Sequence, residues 1–212
     1  MLSKKIMSAL SEMINLFPDA HGELNAHNPF ELLIAVILSA QTTDVAVNKV
    51  TPMLFAAYPT PSALAKADVE DIIEKIKTIG LYRNKAKNII AASQMLIDEF
   101  NGKVPPSHSK LIKLPGVGRK TANVVLGDAF GIPGIAVDTH VERIAKRLQI
   151  VKKDASVLEV EQTLMKNIPK NLWVQAHHTL IFFGRYHCTA KKPKCAKCPL
   201  LEMCEFKQKE GQ

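Results

Sequence analysis

Three groups of residues in this chain have types and spacings that could do chemistry. The stretch LPGVGRKTA, residues 114–122, sets Gly116 and Gly118 one residue apart and follows them at once with Arg119 and Lys120. A lysine amine in such a place can grip a phosphate or act as a nucleophile through a Schiff base. The stretch VDTH, residues 137–140, carries Asp138 just ahead of an amphipathic segment. All four cysteines fall near the end of the chain, at 188, 195, 198 and 204, spaced C-x6-C-x2-C-x5-C.

A tight turn explains one glycine of the pair but not both, nor the cations. The segment SKLIKL before it and TANVVLGDAF after it both carry helical apolar spacing, so the stretch reads as a joint between two helices. Pro115 ends the first helix, Gly116 supplies a positive φ, and Gly118 leaves the start of the second helix without a Cβ. Unpaired N–H groups at that start, with the helix dipole, make a phosphate site. A nucleotide P-loop is excluded, since it needs four residues between its glycines, Gly-Lys-Ser/Thr at its end and a strand before it. A plain helical corner that uses glycine only for packing stays open.

Clustered cysteines in an intracellular chain point to metal ligation over disulfides. Cys195 and Cys198 make one short hook, whereas structural zinc usually takes two. The longer gaps favour an iron–sulfur cluster, with zinc as the alternative. Lys191, Lys192 and Lys194 lie in the loop between the first two cysteines, either as solvated charge or, braced against a buried cluster, as phosphate contacts. Asp138 precedes Thr139 and Glu142, which have the spacing of a capping box, so taken singly the aspartate reads as part of a helix start.

The elements that must position these groups are helical throughout. No segment alternates as a half-buried strand would, while spacings of three and four recur, so the fold class is all-α. The spacing predicts helices over 3–17, 29–40, 43–57 with a candidate break at Pro52, 61–77 in one or two pieces, 84–100, 107–113, 119–130, 139–149, 156–167 and 171–185. The stretch TIGLYRNKAKNII, residues 78–90, aligns with LPGVGRKTANVVL, residues 114–126, as a faint repeat in which Tyr82 stands where Gly118 stands.

With 28 Lys and Arg against 20 Asp and Glu, a net charge of +8 and 47% hydrophobic residues over 212 positions, the chain is a globular protein suited to an anionic partner. Its longest apolar run, Leu32 to Leu38, is far short of the roughly 20 residues that span a bilayer. The N-terminus reads as an amphipathic helix, not a signal peptide, which implies a cytoplasmic protein, nucleoid-associated in a bacterium.

The hairpin stretch, VDTH and the cysteine tail, in this order, resemble the endonuclease III family of the helix-hairpin-helix DNA glycosylase superfamily. The agreement runs from SAQTTD at 39–44 through GLYRNKA at 80–86 to Cys204. The resemblance implies two helical lobes: a helical barrel over 22–132 that holds the hairpin, and a second lobe of 1–21 plus 133–212 that holds a [4Fe-4S] cluster on Cys188, Cys195, Cys198 and Cys204. It implies double-stranded DNA with damaged bases or abasic sites as partner, met by a monomer. It implies Lys120 as nucleophile and Asp138 as its partner in a bifunctional glycosylase and AP lyase that removes oxidised pyrimidines. DNA contacts would come from Gln41, Leu81, Gly116, Gly118, Arg119, Lys191, Lys192 and Lys194, with Leu81 wedged into the base stack and Gln41 filling the gap left by the extruded nucleotide. Asp44 and His140 match family positions near the active site.

Two other readings remain. An adenine glycosylase of the same superfamily shares the cluster but lacks the hairpin lysine and usually adds a C-terminal domain. A non-catalytic DNA-binding module would use the hairpin as a phosphate grip alone.

Overall fold

The computed structural model describes residues 1–206, and among them the regular structure is helical. In chain order the α-helices are α1 (Leu2–Leu16), α2 (Pro29–Leu38), α3 (Asp44–Ala57), α4 (Pro61–Ala65), α5 (Val69–Ile76), α6 (Tyr82–Phe100), α7 (His108–Leu111), α8 (Arg119–Phe130), α9 (Thr139–Arg147), α10 (Val157–Asn167) and α11 (Trp173–Phe182). A π-turn, Phe183–His187, extends α11 to the first cysteine. None of these helices is long and apolar enough to cross a membrane.

The chain divides into two compact units, each with its own core. One, Glu23–Ile132, is continuous; the other joins Met1–Gly22 to the residues from Pro133 on. In the continuous unit the centre is α2, in which Phe30 and Leu32 to Leu38 are all buried. Asn28 caps it by accepting from Glu31 N at 2.9 Å, and Pro29 occupies the first turn, where its missing N–H costs nothing. A helix apolar on every side must be enclosed. Helices α3, α6 and α8 pack on it, and α4 and α5 complete the shell against α6 and α3.

Pro52 does not break α3, although it lies inside it. Proline in a helix interior costs about 3 kcal/mol or more. Here Val47, Val50, Thr51 and Leu54 are buried on both sides of it, while Pro52 itself faces solvent, so packing of the inner face holds the helix through the defect. The expected 61–77 helix is two pieces, the second opened by Asp68, whose side chain accepts from Glu70 N at 2.8 Å.

In the terminal unit Ile6, Ala9, Leu10 and Met13 of α1 are buried with residues of α9, α10 and α11 in one cluster. Ser156 and Glu159 form a full capping box at the start of α10. The Thr139–Glu142 capping box expected from sequence is not formed. Asp138 itself is the N-cap, with Oδ1 accepting from His140 N at 2.8 Å and Val141 N at 2.9 Å. Glu142 turns instead to Lys146, 2.6 Å away and one helical turn on.

Gly116 fixes how the hairpin meets this scaffold. Its φ is +79°, and a Cβ there would lie 3.1 Å from Asn88 Cβ and 3.1 Å from Ile37 Cγ2. Both the left-handed backbone and the close approach to α2 and α6 demand glycine. Gly116→Ala is therefore expected to destabilise the protein by about 1–3 kcal/mol, through left-handed strain and overpacking. Chemical denaturation checks this, and an unchanged midpoint would refute the packing role.

Candidate DNA-binding and catalytic site

The two glycines of the hairpin do different work. Gly116 is packed, but a Cβ on Gly118 would meet nothing within 4 Å. Packing among the described residues therefore gives no reason for Gly118, which rules out the simple helical corner for that half of the pair. Gly118 is the N-cap of α8, extended in backbone and without a side-chain cap, and no acidic residue stands in the first turn. Backbone N–H groups at such a start can receive a phosphate, with Arg119 and Lys120 exposed beside them. Val117, between the glycines, is buried and anchors the turn.

The upstream copy of this turn is built one residue out of step. Its left-handed residue is Leu81, at φ 57°, whereas in the hairpin it is Gly116, the residue aligned with Gly80. Leu81 caps the start of α6 with no side-chain bond and is 54% exposed, so a large apolar side chain stands in solvent on a strained backbone. Gln41, exposed and at φ 54°, follows α2 in a second strained loop. The structure brings these two sequence-identified residues onto adjoining loops. A Cβ on Gly80 would lie 3.8 Å from Gln41 O and 3.8 Å from Thr42 Oγ1.

In the terminal unit Asp138 sits at the start of α9, half-buried, with Ile135, Ala136 and Val137 buried ahead of it. Burial pushes the His140 imidazole toward its neutral form; Asp138 opposes this, and Arg143 and Arg185 add to it. Arg143 donates to Gly184 O at 2.8 Å and Cys188 O at 3.1 Å, and its Nη2 lies 3.1 Å from His140 Nδ1. Asp138, His140, Arg143 and the first cysteine are thus one connected group.

Arg147, one turn further along α9, donates from Nη1 to Cys188 Sγ at 3.1 Å and to Thr189 O at 2.8 Å, and from Nη2 to Ala190 O at 3.1 Å. The sequence reading passed over Arg143, Arg147 and Gly184. The available signal was the spacing of Thr139, Arg143 and Arg147, which puts two arginines on one helical face above the cysteine segment. Gly184 gives none, because its need is tertiary: a Cβ there would lie 2.7 Å from His140 Cβ.

The four cysteines are not joined in disulfides and are partly buried, and Cys188, Cys198 and Cys204 pack against the terminal core. Burial pushes the Cys198 thiol up, and Cys188 and Cys204 lie near enough to add to that shift. Among the described residues, no three His, Cys, Asp or Glu side chains converge as one ion requires. Four cysteine sulfurs can each supply one ligand to an iron of a polynuclear cluster. Lys191, Lys192 and Lys194 are exposed on the loop beside them. That loop is tied down by Lys192 N donating to Thr189 Oγ1 at 3.3 Å and Lys194 N to His187 O at 3.0 Å.

Comparison with known proteins agrees with this arrangement. Residues 34–170 match the model of the HhH-GPD superfamily base excision DNA repair protein, and residues 188–204 match the iron–sulfur binding domain of endonuclease III. The chain is 55% identical to endonuclease III of Bacillus subtilis, over 99% of this chain and 95% of that one. It is 48% identical to endonuclease III of Escherichia coli K12, over 97% of each. A solved structure described as a trapped endonuclease III–DNA covalent intermediate, an estranged-adenine complex, superposes with a TM-score of 0.97 at 57% identity and covers 99% of both chains.

The cofactor is a [4Fe-4S] cluster, and the donor set fits it: four thiols for four irons, with Arg147 hydrogen-bonded to one sulfur. Such bonds orient a ligand and tune a cluster. Arg147→Met keeps an unbranched, though shorter, apolar stem and removes the donors. It is expected to lower iron and acid-labile sulfide content or to speed aerobic loss of the cluster several-fold. Wild-type iron content and wild-type bleaching rates would show that the Cys188 segment does not depend on Arg147.

Proposed function

The chain belongs to the HhH-GPD superfamily of base excision DNA repair proteins and, within it, to the endonuclease III family, and from this we infer that it is a bifunctional DNA glycosylase and AP lyase. Its substrates are oxidised pyrimidines in double-stranded DNA and the abasic sites left behind. The observation that carries the residue assignment is the open, glycine-started α8, which presents Arg119 and Lys120 on a hairpin fixed from beneath by Gly116.

The reaction follows from the residue types. The damaged nucleotide must first leave the stack, and a poorly stacked base costs least to extrude. In this reading Leu81 is the apolar wedge and Gln41 fills the space vacated, which matches their exposure on adjoining loops. Arg119, the cluster-loop lysines 191, 192 and 194 and the N–H groups after Gly118 take the phosphates.

The Lys120 amine then attacks the sugar C1′, and the glycosidic bond breaks as the base leaves with a proton. The attached nitrogen gives up a proton, the C1′–O4′ bond opens with O4′ taking a proton, and the Schiff base so formed makes the C2′ proton acidic. Its removal expels the 3′ phosphate by β-elimination, and water hydrolyses the Schiff base to free the lysine. The Asp138 carboxylate stabilises the positive charge that develops on the sugar as the glycosidic bond breaks. One oxygen, Oδ1, takes both capping bonds.

The cluster is a structural support in this scheme. With four protein thiolates, every iron has its ligand and no position is left for substrate. The protein would work as a cytoplasmic monomer, a reading supported by its basic charge and by two cores that each close on the chain's own residues.

Two substitutions test the assignment. Borohydride should trap wild-type protein on a thymine glycol duplex, and Lys120→Gln should give no adduct, lose at least about a thousand-fold in rate and still bind DNA. No adduct with wild-type protein, binding intact, would reduce the hairpin to a phosphate grip. Asp138→Asn should keep the cap, because Asn and Asp serve almost equally there, and so hold stability within about 0.5 kcal/mol. Its glycosylase rate should still fall by about 10²–10⁴-fold. Equal loss of stability and rate would make Asp138 a cap alone.

A further inference from the structure

Lys85 is a buried cation to which the chemistry above gives no task. It is 3% exposed, and its Nζ donates to Thr42 Oγ1 at 2.7 Å, the acceptor it finds among the described residues. Burial alone pushes its pKa down. A buried ammonium facing a hydroxyl is a poor stabiliser, since apolar residues of similar volume commonly do as well or better. The arrangement therefore calls for a reason other than stability, and its position supplies one.

Thr42 lies 43 positions away in sequence and directly follows Gln41. Lys85 also donates its backbone N–H to Leu81 O at 3.0 Å, closing the first turn of α6. A single residue thus holds the Leu81 turn by its backbone and the Gln41 loop by its side chain. Gly80, one residue before Leu81, lies beside the Gln41 loop, within ordinary contact reach of Gln41 O and Thr42 Oγ1, and Thr42 N donates back to Ser39 O at 3.0 Å at the end of α2. Above this buried tie, Gln41 and Leu81 both point their side chains to solvent from left-handed backbones.

We propose that Lys85 and Thr42 are a positioning pair that couples the Leu81 turn to the Gln41 loop, so that both side chains enter the duplex as one step of nucleotide extrusion. The proposal rests on the reading of Leu81 as wedge and Gln41 as filler. Neither Lys85 nor Thr42 touches the reacting atoms. Their effect falls on substrates that need a paired base extruded, and much less on a preformed abasic site, where no base has to leave the stack.

The test compares, in one preparation, base release from a thymine glycol·adenine duplex with strand cleavage at a preformed abasic site, so that the active fraction cancels in the ratio. Thr42→Val removes the hydroxyl and keeps the shape, Lys85→Met removes the ammonium, and Thr42→Ser restores the acceptor. Thr42→Val and Lys85→Met should each lower base release about tenfold while abasic cleavage changes less than about twofold. The double variant should be no worse than either single, as expected for two halves of one interaction. Thr42→Ser should recover the wild-type ratio. Equal loss of both activities, or an unchanged ratio in Thr42→Val, would reduce the pair to a fold contact; if Lys85→Met does not fold, the two Thr42 variants decide.

Gln41→Ala and Leu81→Ala separate the two levels of the argument. If these do not shift the ratio, the wedge-and-filler reading is wrong. If they shift it and Thr42→Val does not, the coupling alone is overturned. Wild-type protein inactive on both substrates would remove the proposed function itself.

Discussion

The enclosure of α2 is the constraint on which the continuous unit depends. From Leu32 to Leu38 this helix has no polar side chain, and leaving it wet would forfeit about 1.5–3 kcal/mol for each large aliphatic residue. It must be surrounded, and the helices that surround it are those whose ends carry the residues proposed to face DNA. The Gln41 loop leaves its C-terminus, α6 brings the Leu81 turn, and α8 brings the hairpin, whose Gly116 stands against Ile37. A single buried helix thus sets the position of three exposed features that are distant in sequence.

The terminal unit solves a different problem, holding an irregular cysteine segment without a regular scaffold of its own. The segment after the π-turn has only short 3-10 turns at Cys195–Lys197 and Leu201–Met203. Carbonyls in so irregular a stretch need donors from elsewhere. Arg143 and Arg147 supply them to Cys188, Thr189 and Ala190. The π-turn brings Cys188 to these arginines: its N–H reaches back to Phe183 O at 2.7 Å, and the His187 ring stacks on Phe183 at 5.0 Å. Asp138 stands at the other end of the same α9, so the carboxylate proposed for catalysis and the arginines that hold the cysteine segment share one rigid element.

What could be read from the sequence was what local periodicity and short-range chemistry encode. The run at Leu32–Leu38 reads as a buried helix because nothing in it could face water, and the glycine pair reads as a helix joint because apolar spacing resumes on either side. Tertiary compensation could not be read. Pro52 looks like a break until the burial of Val50, Thr51 and Leu54 is known. Thr139 and Glu142 have the spacing of a capping box, yet Asp138, one residue earlier, takes the cap by reaching two N–H groups at once. Lys85 holds a register that the sequence does show, four residues before Ile89 and seven before Ala92, both buried. A lysine in that register is ordinarily assigned to the surface, and only its partner across 43 positions explains its burial.

Strain is distributed unevenly, and this bears on the exposed residues of the site. Four non-glycine residues among those described have positive φ: Gln41, Leu81, Asn101 and Gln149. Asn101 and Gln149 follow helices, where a left-handed residue lets the next N–H reach back, as Gly102 N does to Leu96 O and Ile150 N to Ala145 O. Asparagine tolerates that conformation; leucine gains nothing from it. Leu81 begins a helix, has a left-handed backbone that costs about 1–2 kcal/mol, and exposes apolar surface as well. Glycine at 81 would relieve both penalties. A leucine held where folding gains from neither its backbone nor its side chain supports the proposal that its apolar surface meets a partner outside the protein, as a wedge against an unstacked base pair would.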